Sequence, residues 1–133
     1  MIVFAAVKQR IRTSLLTRFP IRAEQLAAEG GITAPADSIR YRETFSGFIV
    51  DHPAQFSCRL SGSVIYEVLQ PADREFAEAE ALRQRIADLF QPPLLLAGDG
   101  FRIQTTRITP LTFAHEHSWN ILPVRIHFFV FPD

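Results

Sequence analysis

Five apolar residues spaced two apart, Leu122, Val124, Ile126, Phe128 and Val130, constrain this chain more than any other feature. A period of two is the signature of a strand with one buried face. A one-residue slip would turn every one of these side chains to the opposite face, so the register is strongly fixed. The alternate row is Ile121, Arg125, His127, Phe129 and Phe131. It is too mixed for a core and too apolar for plain solvent, so it reads as a surface for another subunit.

The strand needs partners and a covering layer. Asp73 to Phe90 reads as an amphipathic helix, with Phe76, Ala79, Leu82, Ile86, Leu89 and Phe90 on one face. Asp73 is a good N-cap residue, and Pro92-Pro93 prevents continuation. Residues 3 to 18 form a second helical stripe through Val3, Phe4, Val7, Ile11 and Leu15, ended by Phe19-Pro20. Ala23 to Glu29 is expected to make one or two helical turns, and residues 22 to 38 as a whole read as an arm. Ile39 to Val50 alternates, with a phase shift at Gly47 that signals a bulge. Asp51 to Ala54 reads as a turn, and residues 56 to 69 resume alternation through Cys58, Leu60, Val64, Tyr66 and Val68. These two strands pair as a hairpin. Leu94-Leu95-Leu96 leads into a turn at Ala97 to Gly100. Phe101 to Ile108 then pairs with the terminal strand across a polar tip, Pro110 to Asn120. The predicted order is α-β-β-α-β-β. The predicted fold is a two-layer α+β sandwich, with two main helices on one face of a four-stranded, mainly antiparallel sheet.

A chain of 133 residues, 47% hydrophobic and 21% charged, is one ordinary globular domain. Its twelve Phe residues are many for that length, and some are surplus to a core. Zero formal net charge argues against a simple nucleic-acid footprint. The charge is unevenly placed, however. Residues 1 to 22 carry Lys8, Arg10, Arg12, Arg18 and Arg22 without an acid, while the helix from Asp73 carries Glu75, Glu78, Glu80 and Asp88 as well. Opposite charges on separate elements fit head-to-tail contacts, with Arg10 and Arg12 on one side and Glu78 on the other; two solvated helix faces are the plainer reading. Met1 to Val7 is apolar, but Lys8 and Arg10 follow it, the reverse of an export signal. The expectation is a soluble protein. Cys58 is the single cysteine and reads as a buried, inert thiol.

Residues that carry chemistry are few. His115-x-His117, helped by Glu116 and Asp99, offers only two firm ligands where zinc takes three or four. His127 is a general-base candidate only if Glu67 or Glu43 reaches it. That possibility defines the alternative function, a small dimeric ligand-binding module or enzyme with a cleft around His127. Arg40, Tyr41, Arg42, Phe101 and Arg102 interleave rings and cations in the manner of a single-strand stacking surface. Phosphate-loop and nucleophile-elbow patterns do not occur. The expectation is a non-enzyme with no catalytic residues, no cofactor and no metal.

The run Val64-Ile65-Tyr66-Glu67-Val68, the turn Pro71-Ala72-Asp73 and the helix Ala77 to Phe90 together resemble the core of tail-terminator, or tail-completion, proteins of long-tailed phages. Phe101 to Ile108 and Leu122 to Phe131 match that family's closing hairpin, and the helix ending in Phe19-Pro20 matches its opening. The resemblance covers residues 56 to 131 and, more loosely, 2 to 20. It rests on element order and composition rather than an invariant motif. It implies a structural virion protein: a ring, commonly six-fold, that caps the tail tube, stops its growth and meets the head-tail connector. Its partners are then itself, the tail-tube protein and the connector, with DNA passing only through the lumen. It is assembled in the host cytoplasm and resides at the head-proximal end of the tail. The subunit-interface residues carried forward are Arg10, Arg12, Glu78, Arg125, His127, Phe129 and Phe131.

Overall fold

A computed structural model describes residues 4–18, 26–27, 39–47, 49–51, 59–98, 100–116 and 118–132. The elements, in chain order, are α1 (Phe4–Arg18), β1 (Leu26–Ala27), β2 (Arg40–Phe45), β3 (Ile49–Asp51), β4 (Arg59–Pro71), α2 (Ala77–Leu89), β5 (Leu95–Gly98), β6 (Phe101–Pro110), β7 (Ala114–Glu116) and β8 (Trp119–Pro132). The chain is α+β, with two helices on one face of a mainly antiparallel sheet. In place of the expected four strands, the described residues form an eight-stranded sheet, ordered β1-β2-β4-β8-β6-β5, with β3 on β4 and β7 on β8. The four long strands were readable because each spans enough residues to show its alternation. The four short ones are two to four residues long and owe their pairing to neighbours.

The terminal strand is the centre of the molecule. Twelve consecutive residue pairs join β4 to β8, from Leu60↔Val130 to Pro71↔Trp119, and β6 flanks β8 on its other edge. Leu122, Val124, Ile126, Phe128 and Val130 are all buried, as their alternation predicts. They pack with Leu60, Val64, Tyr66 and Val68 of β4 and Ile103 of β6. Val7, Ile11 and Leu15 of α1, with Ala79 and Ile86 of α2 and Phe90 just beyond it, close this core from the helix side. Tyr66 stacks on Phe90 at 5.9 Å between ring centroids.

Several local expectations are corrected. The second helix begins at Ala77, four residues after Asp73, and Phe76 takes the N-cap position without a side-chain cap. The intervening residues are pinned to the end of the sheet: Ala72 N–H bonds Ser118 C=O at 2.9 Å, and Arg74 N–H bonds Pro71 C=O at 3.1 Å. Phe76 accordingly leaves the apolar face and meets Phe113 edge-on at 4.7 Å. Leu26–Ala27, expected in a helical turn, is a short strand parallel to Tyr41–Arg42; the rest of residues 19 to 38 lies outside the described residues. Leu95–Gly98 is a strand on β6 rather than the approach to a turn, and the turn itself has positive φ at Gly98 and Gly100. The polar tip contains β7, which folds back on Trp119 to Ile121.

The bulge at Gly47 is present in the register. Phe45 faces Val64 while Ile49 faces Ser61, so three residues on one side oppose two on the other. Among the described residues no helix is long and apolar enough to cross a membrane.

Candidate interaction surface

The sheet's second face is built by parity. In β8 it receives Ile121, Pro123, Arg125, His127, Phe129 and Phe131, the residues between the core positions. The two ends of this row differ. Ile121 is buried in a small cluster with Leu69 and Trp119, and Pro123 is buried beside it. Arg125, His127, Phe129 and Phe131 are only half-buried.

A bulge in β6 decides who faces His127. Thr105 pairs with Phe128, and the register then shifts, so that Arg107 rather than Thr106 sits opposite His127. The shift also returns Ile108 to the core side, opposite Ile126. The signal was legible: the apolar phase of Phe101, Ile103 and Thr105 is odd-numbered and that of Ile108 even. Arg107 was nonetheless missed as a functional residue, because no single motif contains it.

Arg107 Nη2 and Thr109 Oγ1 each lie 3.4 Å from His127 Nε2. A guanidinium only donates, so Nε2 accepts and the neutral ring carries its proton on Nδ1. The His127 pKa is lowered, chiefly by burial and then by the charges of Arg107 and Arg125. Arg125 Nε is buried with no hydrogen-bond partner among the described residues. A recess of about 290 Å³ opens here, lined by Ser61, Thr106, Arg107, His127 and Phe129 among others.

Among the described residues no carboxylate lies within ion-pair distance of Arg107 or Arg125. Glu67 is held by Arg42, at 2.6 Å from Nε and 2.9 Å from Nη2, and Glu116 approaches the same guanidinium at 3.3 Å. The Arg42 pKa is raised, mainly by its hydrogen bond to Glu67. Glu43 points to the helix layer instead. It accepts from Arg12 Nη2 at 2.6 Å, from Arg12 Nε at 2.9 Å, and from the Tyr66 hydroxyl at 2.8 Å. Neither acid considered as a partner for His127 therefore serves it.

Two cations of the basic helix are engaged within the chain, while Lys8 and Arg18 are exposed. Arg10 lies over the Phe101 ring, 3.8 Å from its centroid, and donates from Nη1 to the Phe101 carbonyl at 2.9 Å. Arg12 is the partner of buried Glu43. Glu78, by contrast, is exposed on the first turn of α2 with Glu80, and Glu75 is exposed just before it. Thus Arg125, His127, Phe129 and Phe131 share one surface, whereas Arg10 and Arg12 on α1 and Glu78 on α2 belong to the helix layer.

The stacking surface proposed around Tyr41 and Phe101 is not assembled, because both rings are buried under the helices. Burial lifts the Tyr41 hydroxyl to about 12. His115 is exposed and contacts Phe113 edge-on at 4.7 Å, while His117, Asp99 and Cys58 lie outside the described residues. Among the described residues no three His, Cys, Asp or Glu side chains cluster. A second recess, of about 590 Å³, runs between α1 and β5 past Gln9, Thr13, Thr17 and Leu95.

Comparison with known proteins bears on the fold alone. No family model matches, and no curated protein matches. One solved structure superposes with a TM-score of 0.63 at 17% identity, over 92% of this chain and 94% of the other. At that identity the likeness is one of architecture.

Proposed function

We propose that this chain is a tail-terminator subunit of a phage or prophage, assembling into a ring that caps the tail tube and joins it to the head connector. One observation carries most of this reading. The helices cover one face of the sheet, while the Arg125, His127, Phe129 and Phe131 end of the other face stays half-open and mixes two rings with two nitrogen cations or bases. Aromatic and Arg side chains are the types enriched at protein interfaces. The order of long elements agrees with the family resemblance: a helix, two paired strands, a second helix, two paired strands. A ring of about six copies closes when each copy offers two different surfaces. In this reading the protein is not an enzyme and works at the head-proximal end of the virion tail.

The test is assembly with the tube. Tail-tube protein polymerised in the presence of this chain should give short, capped tubes that retain it. Tubes that grow freely, with the chain left in solution, would contradict the reading.

The recess beside His127 favours a second reading, a dimeric ligand-binding module or enzyme. His127→Ala should then abolish ligand binding. An unchanged ligand response in that variant removes it.

A further inference from the structure

We infer that the cationic end of the open sheet face, Arg107 and Arg125 beside the neutral His127 ring, receives the acids at and just before the start of α2, Glu75, Glu78 and Glu80, from a second copy of this chain. The inference rests on the ring reading and specifies the contact that would build it.

Charge states the need on both sides. Among the described residues Arg107 and Arg125 have no carboxylate within ion-pair distance, because Arg42 takes both Glu67 and Glu116. The Arg107 side chain is exposed and that of Arg125 half-buried, so an incoming carboxylate can reach their outer guanidinium nitrogens and form charge-assisted hydrogen bonds there. Glu75, Glu78 and Glu80 are exposed, and among the described residues none forms an ion pair. Of the α1 cations, Arg10 is committed to Phe101 and Arg12 to Glu43, while Lys8 and Arg18 stand exposed on the helix.

Geometry states the symmetry. The acids lie in the helix layer and the cations on the opposite face of the sheet, so one copy cannot join its own two patches. Two copies meeting face to face through the cationic patch would set like charges together, which disfavours that contact. The contact that satisfies both patches is heterologous, head to tail, and a heterologous contact that closes makes a ring. Phe129, half-buried beside the recess, supplies apolar area next to the charges.

Charge reversal tests the contact by sedimentation velocity and native mass spectrometry of the full chain. The reversals are Arg107→Glu with Arg125→Glu in one variant, and Glu75→Arg with Glu78→Arg in another. Each variant alone should raise the concentration needed for assembly by at least about tenfold. Mixed in equal amounts they should reassemble, with the two kinds of subunit alternating, because every junction then pairs opposite charges. The acidic-side variant changes exposed residues only, and its melting temperature checks that it folds. Wild-type oligomers whose assembly neither variant weakens would overturn the inferred contact and leave the ring reading standing. A wild-type chain that stays monomeric at every concentration would overturn the ring reading itself. Variants that dissociate but do not reassemble on mixing would also overturn the pairing.

Discussion

At the scale of single residues, Glu43 shows how a charge enters a core. It is 4% exposed, yet it accepts from Arg12 and from Tyr66, whose own hydroxyl pKa is pushed well up by burial and by this carboxylate. Arg12→Ala leaves the carboxylate buried with the phenol as its one remaining donor among the described residues. Because Arg12 is itself partly exposed, the expected loss is about 2–4 kcal/mol by chemical denaturation, at the lower side of what breaking a fully buried pair costs. Replacing both partners, Arg12→Met with Glu43→Leu, should cost less than Arg12→Ala alone. His127 gives a pH prediction with a definite sign. Its folded pKa lies below the ordinary value near 6.5, so between the two values the unfolded chain binds the proton more readily. The monomer should lose stability as pH falls through 6.5 and stop losing it below the folded pKa. His127→Gln should flatten this slope in melting temperatures measured from pH 7.5 to 5. A slope unchanged in the variant would assign it to other groups. The parity of Glu43 with Tyr41 and the phase change in β6 are written in the sequence, but the pairing of Glu43 with Arg12 and of Arg107 with His127 depends on which elements lie side by side.

At the scale of elements, alternation made the core legible and left the edges dark. Leu122 to Val130 and Val64 to Val68 announced both their strands and their faces. Phe128→Ala should cost about 3–5 kcal/mol, whereas Phe129→Ala, one residue away on the open face, should cost under about 1 kcal/mol of monomer stability while weakening assembly. Equal losses for the two would mean that the second face is also core. The start of α2 was misplaced because Asp73 is a good cap in isolation, but the bonds of Ala72 to Ser118 and of Arg74 to Pro71 hold the chain against the sheet end. Similarly, β5 and β7 look like loop because strands of four and three residues carry too little pattern. Gly98 does mark its turn. It sits at φ 131° with Arg10 3.6 Å from where a Cβ would stand, so Gly98→Ala should cost about 1–3 kcal/mol through backbone strain.

At the scale of the whole molecule, two features bear on the possible assemblies: helices on one face of the sheet, and on the other a cationic end that no carboxylate among the described residues compensates. The sequence pointed to the mixed row of β8 but assigned the basic partner to α1. Folding engaged Arg10 and Arg12 with Phe101 and Glu43 and left Arg107 and Arg125 on the sheet face to present positive charge. The central claim is that this chain closes into a ring. Native mass spectrometry over a range of concentrations, with electron microscopy of the same samples, measures that directly. The account predicts a single closed species of about six subunits, seen as rings with an open lumen. A monomer at every concentration, with or without tail-tube protein present, would contradict it.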